Sequence, residues 1–306
     1  MHINYWGEVK RDGFGCAGLA MLALLAFMAA GAPILSQYPP AEYTGAIFQP
    51  PSAQYWLGTN DVGQDIWAQL LYGARTTLAV GSGAALLSLL LSILAGGLAA
   101  MAGGFWDRAL MRLVDALIVI PPVIVAILAA AYFRPGITML IVLLSAFLWP
   151  DGARMVRSQV LSVKERMHVS AARTFGAGWL YLLLRHVIPE LGPVLTAIMV
   201  LNFRRAVFME AGLSFLGVSD PAVISWGKMM QQALSFSYLE VWKWWLIPAG
   251  AALSMTIAAL TCTGFALEKT MNPRLKKEMR SGNACNKRID CIVQRPAGFE
   301  RYKPYP

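Results

Sequence analysis

The chain has 306 residues, of which 57% are hydrophobic and only 14% charged, and its mean hydropathy is +0.52. That composition excludes an ordinary soluble domain and calls for several membrane spans. The formal charge of +9 does not argue for nucleic-acid binding, because in a membrane chain surplus Lys and Arg first report orientation. Residues 1–12 are polar and carry Lys10 and Arg11. The uncharged run 13–35 that follows is long enough to cross a bilayer. Ending in Ala29-Ala30-Gly31-Ala32, it also fits a cleavable signal peptide, but its length and the need for an in-facing start favour a retained first helix.

Residues 36–75 are rich in Pro, Gly, Tyr and Gln and poor in Lys and Arg, which predicts an extracytoplasmic loop with Trp56 and Trp67 as interfacial anchors. Within it lies Leu57-Gly58-Thr59-Asn60-Asp61-Val62-Gly63-Gln64-Asp65. Its glycines allow tight turns, and its acids can accept bonds from nearby amides. The second span, 76–106, is uncharged up to its end and interspersed with Gly81, Gly83, Gly96 and Gly97, the small residues that let membrane helices pack closely. Asp107, Arg108 and Arg112 mark a short cytoplasmic turn. The third span, 116–133, opens after Asp115 and should kink at Pro121-Pro122. After an outer turn at Arg134-Pro135-Gly136, the fourth span, 137–149, is expected to end at Pro150-Asp151.

Residues 150–193 carry six Lys/Arg (Arg154, Arg157, Lys164, Arg166, Arg173, Arg185) and no run apolar enough to span. A polar loop of this size in such a chain usually touches a partner. At its centre is Ser170-Ala171-Ala172-Arg173-Thr174-Phe175-Gly176, which predicts a short exposed helix. The paired alanines permit close approach, Gly176 can end the helix in the left-handed conformation, and Pro189, after Ile188, restarts the chain without an amide donor. The fifth span begins near Val194 and is unusual, carrying Arg204, Arg205 and Glu210; charges inside a span are rare and face the bundle interior. It closes with Leu213-Ser214-Phe215-Leu216-Gly217, followed by Trp226-Gly227. Trp242, Trp244 and Trp245 are expected to form an aromatic belt before the sixth span, 246–267. The tail from Lys276 is basic, lacks apolar periodicity and is expected to be disordered.

With six spans and both termini cytoplasmic, twenty of the 26 Lys/Arg fall on the inner side and four outside. Ten of the inner ones lie in the tail and count for little, yet the remainder still favours this topology. No Gly-x-x-x-x-Gly-Lys-Ser/Thr occurs, since Gly227-Lys228 is followed by Met and lacks the upstream glycine. The chain therefore has no phosphate cradle for ATP, and any motor must be another subunit. His2, His168 and His186 are not at metal-ligand spacing, and no Ser/His/Asp set is suggested. Cys16 and Cys262 sit in apolar runs, and Cys285 and Cys291 in the tail, where a reduced pair is a simpler reading than a metal site.

Taken together, these motifs resemble the permease subunits of bacterial ABC importers, in particular the dipeptide/oligopeptide/nickel group. The cytoplasmic loop of that family reads Glu-Ala-Ala, three residues, Gly, nine residues, Ile-x-Leu-Pro. Here Ala171, Ala172, Gly176 and Pro189 fall in register, while Ser170 stands for Glu, His186 for Ile and Ile188 for Leu. The group's outer motif Leu-Gly-Thr-Asp-x-x-Gly-Arg-Asp is similar to the run holding Gly58, Thr59, Asp61, Gly63 and Asp65, with Asn60 and Gln64 as polar replacements. Its fifth span ends Glu-x-x-Leu-Ser-Phe-Leu-Gly and is followed by Trp-Gly, as Glu210 to Gly217 and Trp226-Gly227 do here. The segment 268–274 is close to the group's usual Asp-Pro-Arg ending.

The resemblance implies an all-α type I importer permease of about six transmembrane helices in the bacterial cytoplasmic (inner) membrane. The same resemblance implies a chain that is not an enzyme and binds no cofactor, with ATP held by partner subunits. The expected division is 1–35 for the N-terminal segment and first helix, 36–75 for the outer loop, 76–274 for the permease core with the coupling loop 150–193, and 275–306 for the tail. Ser170, Ala171, Ala172, Gly176, Ile188 and Pro189 are the implied ATPase contacts, and Arg204, Arg205 and Glu210 are candidates for the substrate path. Expected partners are a second homologous permease, two cytoplasmic ATPase subunits, an extracytoplasmic binding protein and membrane lipid. Peptides, nickel complexes and opine-type metallophores are all possible cargo. The alternative of an ion-driven secondary transporter would call for two similar halves and acids in several spans, and an intramembrane enzyme for a polar catalytic set at one depth; the sequence shows neither.

Overall fold

The computed structural model describes residues 13–133 and 136–271. The expectations for the tail, for Cys285 and Cys291, for His2, for Arg134 and Pro135 of the outer turn, and for residues 272–274 of the 268–274 ending lie outside the described residues. The described chain is built from helices: α1 Gly13–Ala30, α2 Ile66–Ala102, α3 Gly104–Val119, α4 Pro122–Phe133, α5 Ile137–Lys164, α6 Met167–Thr174, α7 Trp179–Leu182, α8 Gly192–Phe215, α9 Trp226–Ser235 and α10 Leu246–Met271. Four stretches are long and apolar enough to cross a membrane, and there are six crossings if the bent pairs α3–α4 and α7–α8 each count as one. The bend between α3 and α4 is 78° and falls at Ile120-Pro121, where two prolines were expected to interrupt the span.

The second helix is the axis of the bundle. It starts at Ile66, ten residues before the expected span, because Asp65 caps it: its carboxylate accepts from the amides of Trp67 at 3.3 Å and Ala68 at 3.1 Å. At 37 residues it is about 55 Å long, well beyond the hydrocarbon thickness. Its small residues let α5 lie against it. A Cβ on Gly96 would stand 2.3 Å from the Ala153 carbonyl oxygen, so the two backbones touch there. Eight residues earlier on α2, Asn202 of α8 donates to Ser88 Oγ at 2.9 Å in a fully buried bond.

This packing explains where the sequence reading fails. The fourth span does not end at Pro150. Helix α5 runs through that buried proline to Lys164, so the first third of the expected polar loop is a continuation of the helix. Ser92 of α2 donates to the Trp149 carbonyl at 2.9 Å, and Gly152 leaves room for the Ser92 hydroxyl. The neighbouring helix thus supplies one bond and a close-packed surface beside the point where a proline would ordinarily stop a helix.

The aromatic belt is also corrected. Trp245 is fully buried, in one cluster with Trp226, Ile66 and Met229, and Trp244 packs on that cluster, which leaves Trp242 as the exposed member. The helix α9 folds back over α10 and covers them. On the outer side, Trp56 and Trp67 meet at a centroid distance of 5.5 Å, and Trp67 Nε1 donates to the Leu35 carbonyl at 3.1 Å. Trp67 therefore ties the end of the first crossing to the start of the second.

Candidate functional site

The cytoplasmic turn is built as its residues predict. Helix α6 ends where Gly176 takes φ +86°. Gly176 N donates to Arg173 O at 3.0 Å and Ala177 N to Ala172 O at 3.1 Å, a closing pattern that satisfies the last carbonyls. Val169 faces inward and is buried with Val156, Val160 and Val163 of α5 and with Leu183 and Val187; Ala172 packs on the same cluster. Ser170 and Ala171 are exposed, and Phe175 just past the helix is 91% exposed.

The turn is braced against the bundle. Arg166 donates to Glu190 at 2.9 Å, and His168 lies 3.3 Å from the same carboxylate. Glu190 directly follows Pro189, at the elbow where Trp179–Glu190 bends by 72° into α8. A π-helical turn, Leu183–Val187, and the short piece Ile188–Glu190 carry the chain through that elbow. Ile188 packs on the valine cluster while Pro189 is exposed. The structure thus brings Ser170, Ala171, Ala172, Gly176, Ile188 and Pro189 to one cytoplasmic end, tied by the same contacts to α5 and α8.

The charges of α8 are placed individually. Arg205 NH1 reaches Asp151 Oδ2 of α5 at 2.7 Å, with the two side chains 43% and 54% exposed. Arg204 points the other way, toward Thr261 of α10 at 3.4 Å, into a cavity of about 490 Å³ lined by Leu201, Leu260, Gly264, Phe265 and Glu268. Glu210 is fully buried and accepts from the Ser214 hydroxyl at 2.8 Å. Its second oxygen, facing the Thr77 and Ser225 hydroxyls, has no bond of standard geometry among the described residues. Nothing in the sequence signalled Asp151 as a partner of Arg205, because the pair is 54 positions apart.

The remaining motif residues have structural roles. Gly58, at φ +75°, lets the outer loop pass close to itself, for a Cβ there would stand 2.3 Å from the Gln49 carbonyl oxygen. Thr59 Oγ1 accepts from Gln49 N at 2.9 Å and donates to the Ala46 carbonyl. Asn60 Oδ1 accepts from the amides of Val62 and Gln64, and its amide group donates to Gln64 Oε1 at 3.0 Å. The two departures from the family motif therefore bond to each other. Gly63 turns the chain at φ +77°, Asp61 is half-buried beside it, and burial pushes the Asp65 carboxyl above its ordinary value against its two amide bonds.

At the far end of α8, Gly217 adopts φ +74°, and Val218 N donates to Leu213 O at 3.2 Å. Leu213 and Ser214 are buried there, while Phe215 and Leu216 are exposed. Trp226 is fully buried and donates to the Leu70 carbonyl at 2.9 Å. A Cβ on Gly227 would lie 2.3 Å from the Ala211 carbonyl oxygen, so α9 and α8 cross in backbone contact. Nearby, burial pushes the Lys228 ammonium below its usual value, partly opposed by Asp220.

The arrangement of bent crossings, a capped outer loop and a braced cytoplasmic turn can be set beside known proteins. Residues 54–277 match the family described as "Binding-protein-dependent transport system inner membrane component". The chain belongs to that family. The match covers the outer motif, the cytoplasmic turn and the end of α8. The chain is 34% identical over 274 residues to the dipeptide transport system permease protein DppC of Bacillus subtilis, covering 89% of this chain and 85% of the relative. It is 32% identical over 265 residues to the oligopeptide transport system permease protein OppC of the same organism, covering 85% of each. A peptide permease protein of Brucella suis is 35% identical over 260 residues, covering 84% of this chain and 86% of the relative. The family member described here is accordingly a multi-pass permease of the bacterial inner membrane, with the type I importer fold and a transport rather than an enzymatic role.

Proposed function

We propose that this permease forms half of a translocation path for peptides, that a binding protein delivers them, and that ATPase subunits drive it through the loop 168–189. The observation that carries the reading is the braced turn: exposed Ser170 and Ala171, with Phe175 just past the helix end, form the outer face of a helix whose inner face, through Val169, is locked to α5 and α8. A body docked on that face would move both crossings together. The exposed aromatics Trp179 and Tyr181 widen the apolar contact area beside it. Peptides are proposed as cargo because the relatives carry peptide names; nickel and metallophore complexes, which the sequence motifs also admit, gain no support from them. An ion-driven mechanism is not favoured.

Arg204 and Arg205 are the proposed path residues. A guanidinium grips a carboxylate through two parallel bonds, which suits the charged end of a peptide. Arg205 is held in place by Asp151, and Arg204 borders the α8–α10 cavity. Glu210, enclosed by hydroxyls, is proposed to hold α8, α2 and α9 together rather than to meet cargo.

Uptake of labelled di- and oligopeptides by cells carrying or lacking the chain tests the cargo, and recovery of an ATPase with the purified chain tests the drive. Peptide uptake that is unchanged when the chain is absent, in cells lacking other peptide importers, contradicts the cargo assignment.

A further inference from the structure

We propose that α3 is an interfacial anchor that binds anionic phospholipid headgroups of the cytoplasmic leaflet through Arg108 and Arg112. Helix α4 is uncharged from end to end and forms the apolar arm of its bent pair, and α3 leaves it at 78°. If α4 follows the bilayer normal, α3 runs close to the membrane plane.

The faces of α3 agree with that position. Val114 is buried and Asp107 half-buried on the side toward α5. The opposite side is exposed and carries Phe105, Arg108 and Arg112, three and seven residues apart on one stripe, with Trp106 and Leu113 beside them. Phe105 and Trp106 meet edge to face at 5.9 Å. Aromatic rings next to arginines suit the headgroup boundary, where rings enter the acyl edge and guanidinium groups reach phosphate.

The charges of α3 select the lipid. Both acids of the helix are taken by arginines of α5. Asp107 receives Arg157 through two bonds, at 2.5 and 2.6 Å, and Asp115 is paired with Arg154. The basic residues have no such partner. Arg108 bonds only the Gly104 carbonyl of its own helix, at 3.1 Å, and Arg112 makes no hydrogen bond or ion pair among the described residues. The exposed face of α3 thus presents two uncompensated cations to the leaflet that carries negative surface charge.

The test uses the full chain in detergent, titrated with phosphatidylglycerol or phosphatidylcholine and followed by native mass spectrometry. The parent should retain phosphatidylglycerol in preference to phosphatidylcholine. Arg108→Gln or Arg112→Gln should each lower the apparent affinity for phosphatidylglycerol about fivefold, the factor that roughly 1 kcal/mol per basic residue represents. The double variant should lose more, and phosphatidylcholine retention should not change. Arg108→Lys/Arg112→Lys keeps the charge and should keep most of the binding, which separates a lipid contact from a folding defect. Equal retention of the two lipids by the parent, or unchanged phosphatidylglycerol retention in the double glutamine variant, overturns the proposal. So does a double variant that loses a co-purifying permease while its lipid retention stays the same, since the face would then belong to a protein partner.

Discussion

Replacing Gly176 gives a graded test of the cytoplasmic turn. The residue sits at φ +86°, and a Cβ built there meets nothing within 4 Å, so the cost of a side chain is conformational and not steric. Gly176→Ala should cost about 1 kcal/mol, roughly a fivefold loss in the population of the closed turn. Gly176→Asn should cost less, because Asn tolerates the left-handed region. Gly176→Pro cannot form the turn at all: proline holds φ near about −65° and removes the amide that bonds Arg173 O. With the turn open, the Ala177–Ala172 bond is lost as well, and α6 no longer presents Ala171 and Phe175 in fixed register. The assay is peptide-dependent ATP hydrolysis in proteoliposomes, together with recovery of the ATPase. The expected order is Gly, Asn, Ala, then Pro near background, at equal membrane abundance. Parental hydrolysis and ATPase recovery in the proline variant would refute the reasoning.

Three further outcomes are expected. Arg205→Lys should keep its pairing with Asp151 and remain folded, yet lower uptake of carboxylate-bearing peptides; uptake equal to the parent in both this variant and Arg204→Lys removes these residues from the path. Gly227→Val should destabilise the protein by about 1–3 kcal/mol, because its side chain meets the Ala211 backbone, which cannot rotate away; a thermal melt matching the parent contradicts the close crossing of α8 and α9. The active complex should contain a second, homologous permease, to be measured by mass of the purified assembly, and an active particle with this chain as its only permease would make it a homodimer instead.

Much of this architecture is legible in the sequence, because its signals are local. Gly58, Gly63, Gly176 and Gly217 all take the positive φ that their turns require, and the kink at Pro121-Pro122 is where two prolines place it. Asp65 suits a helix cap by residue type, but Gln69 and Arg75 read as loop residues and hide the start of α2, while in the fold Gln69 is enclosed. The passage of α5 through Pro150 depends on Ser92 and Gly96 of another helix, and no feature of residues 137–164 reports them. The same holds for ion pairs. Arg205 with Asp151, Arg157 with Asp107 and Arg154 with Asp115 join residues 39–54 positions apart. Periodicity and motif spacing say nothing about such distant partners.

The central claim is that the turn ending at Gly176 docks an ATPase subunit, and cross-linking from Ala171→Cys tests it most directly. Ala171 is exposed on the outer face of α6, so the thiol should not disturb the valine cluster beneath. In membranes holding the assembled transporter, after removal of exposed native thiols such as Cys16, a short bifunctional reagent should join this position to the ATPase. The yield should fall when Gly176→Pro is added. Cross-links that form only to lipid or to another permease, while the complex still hydrolyses ATP in response to peptide, would contradict the account.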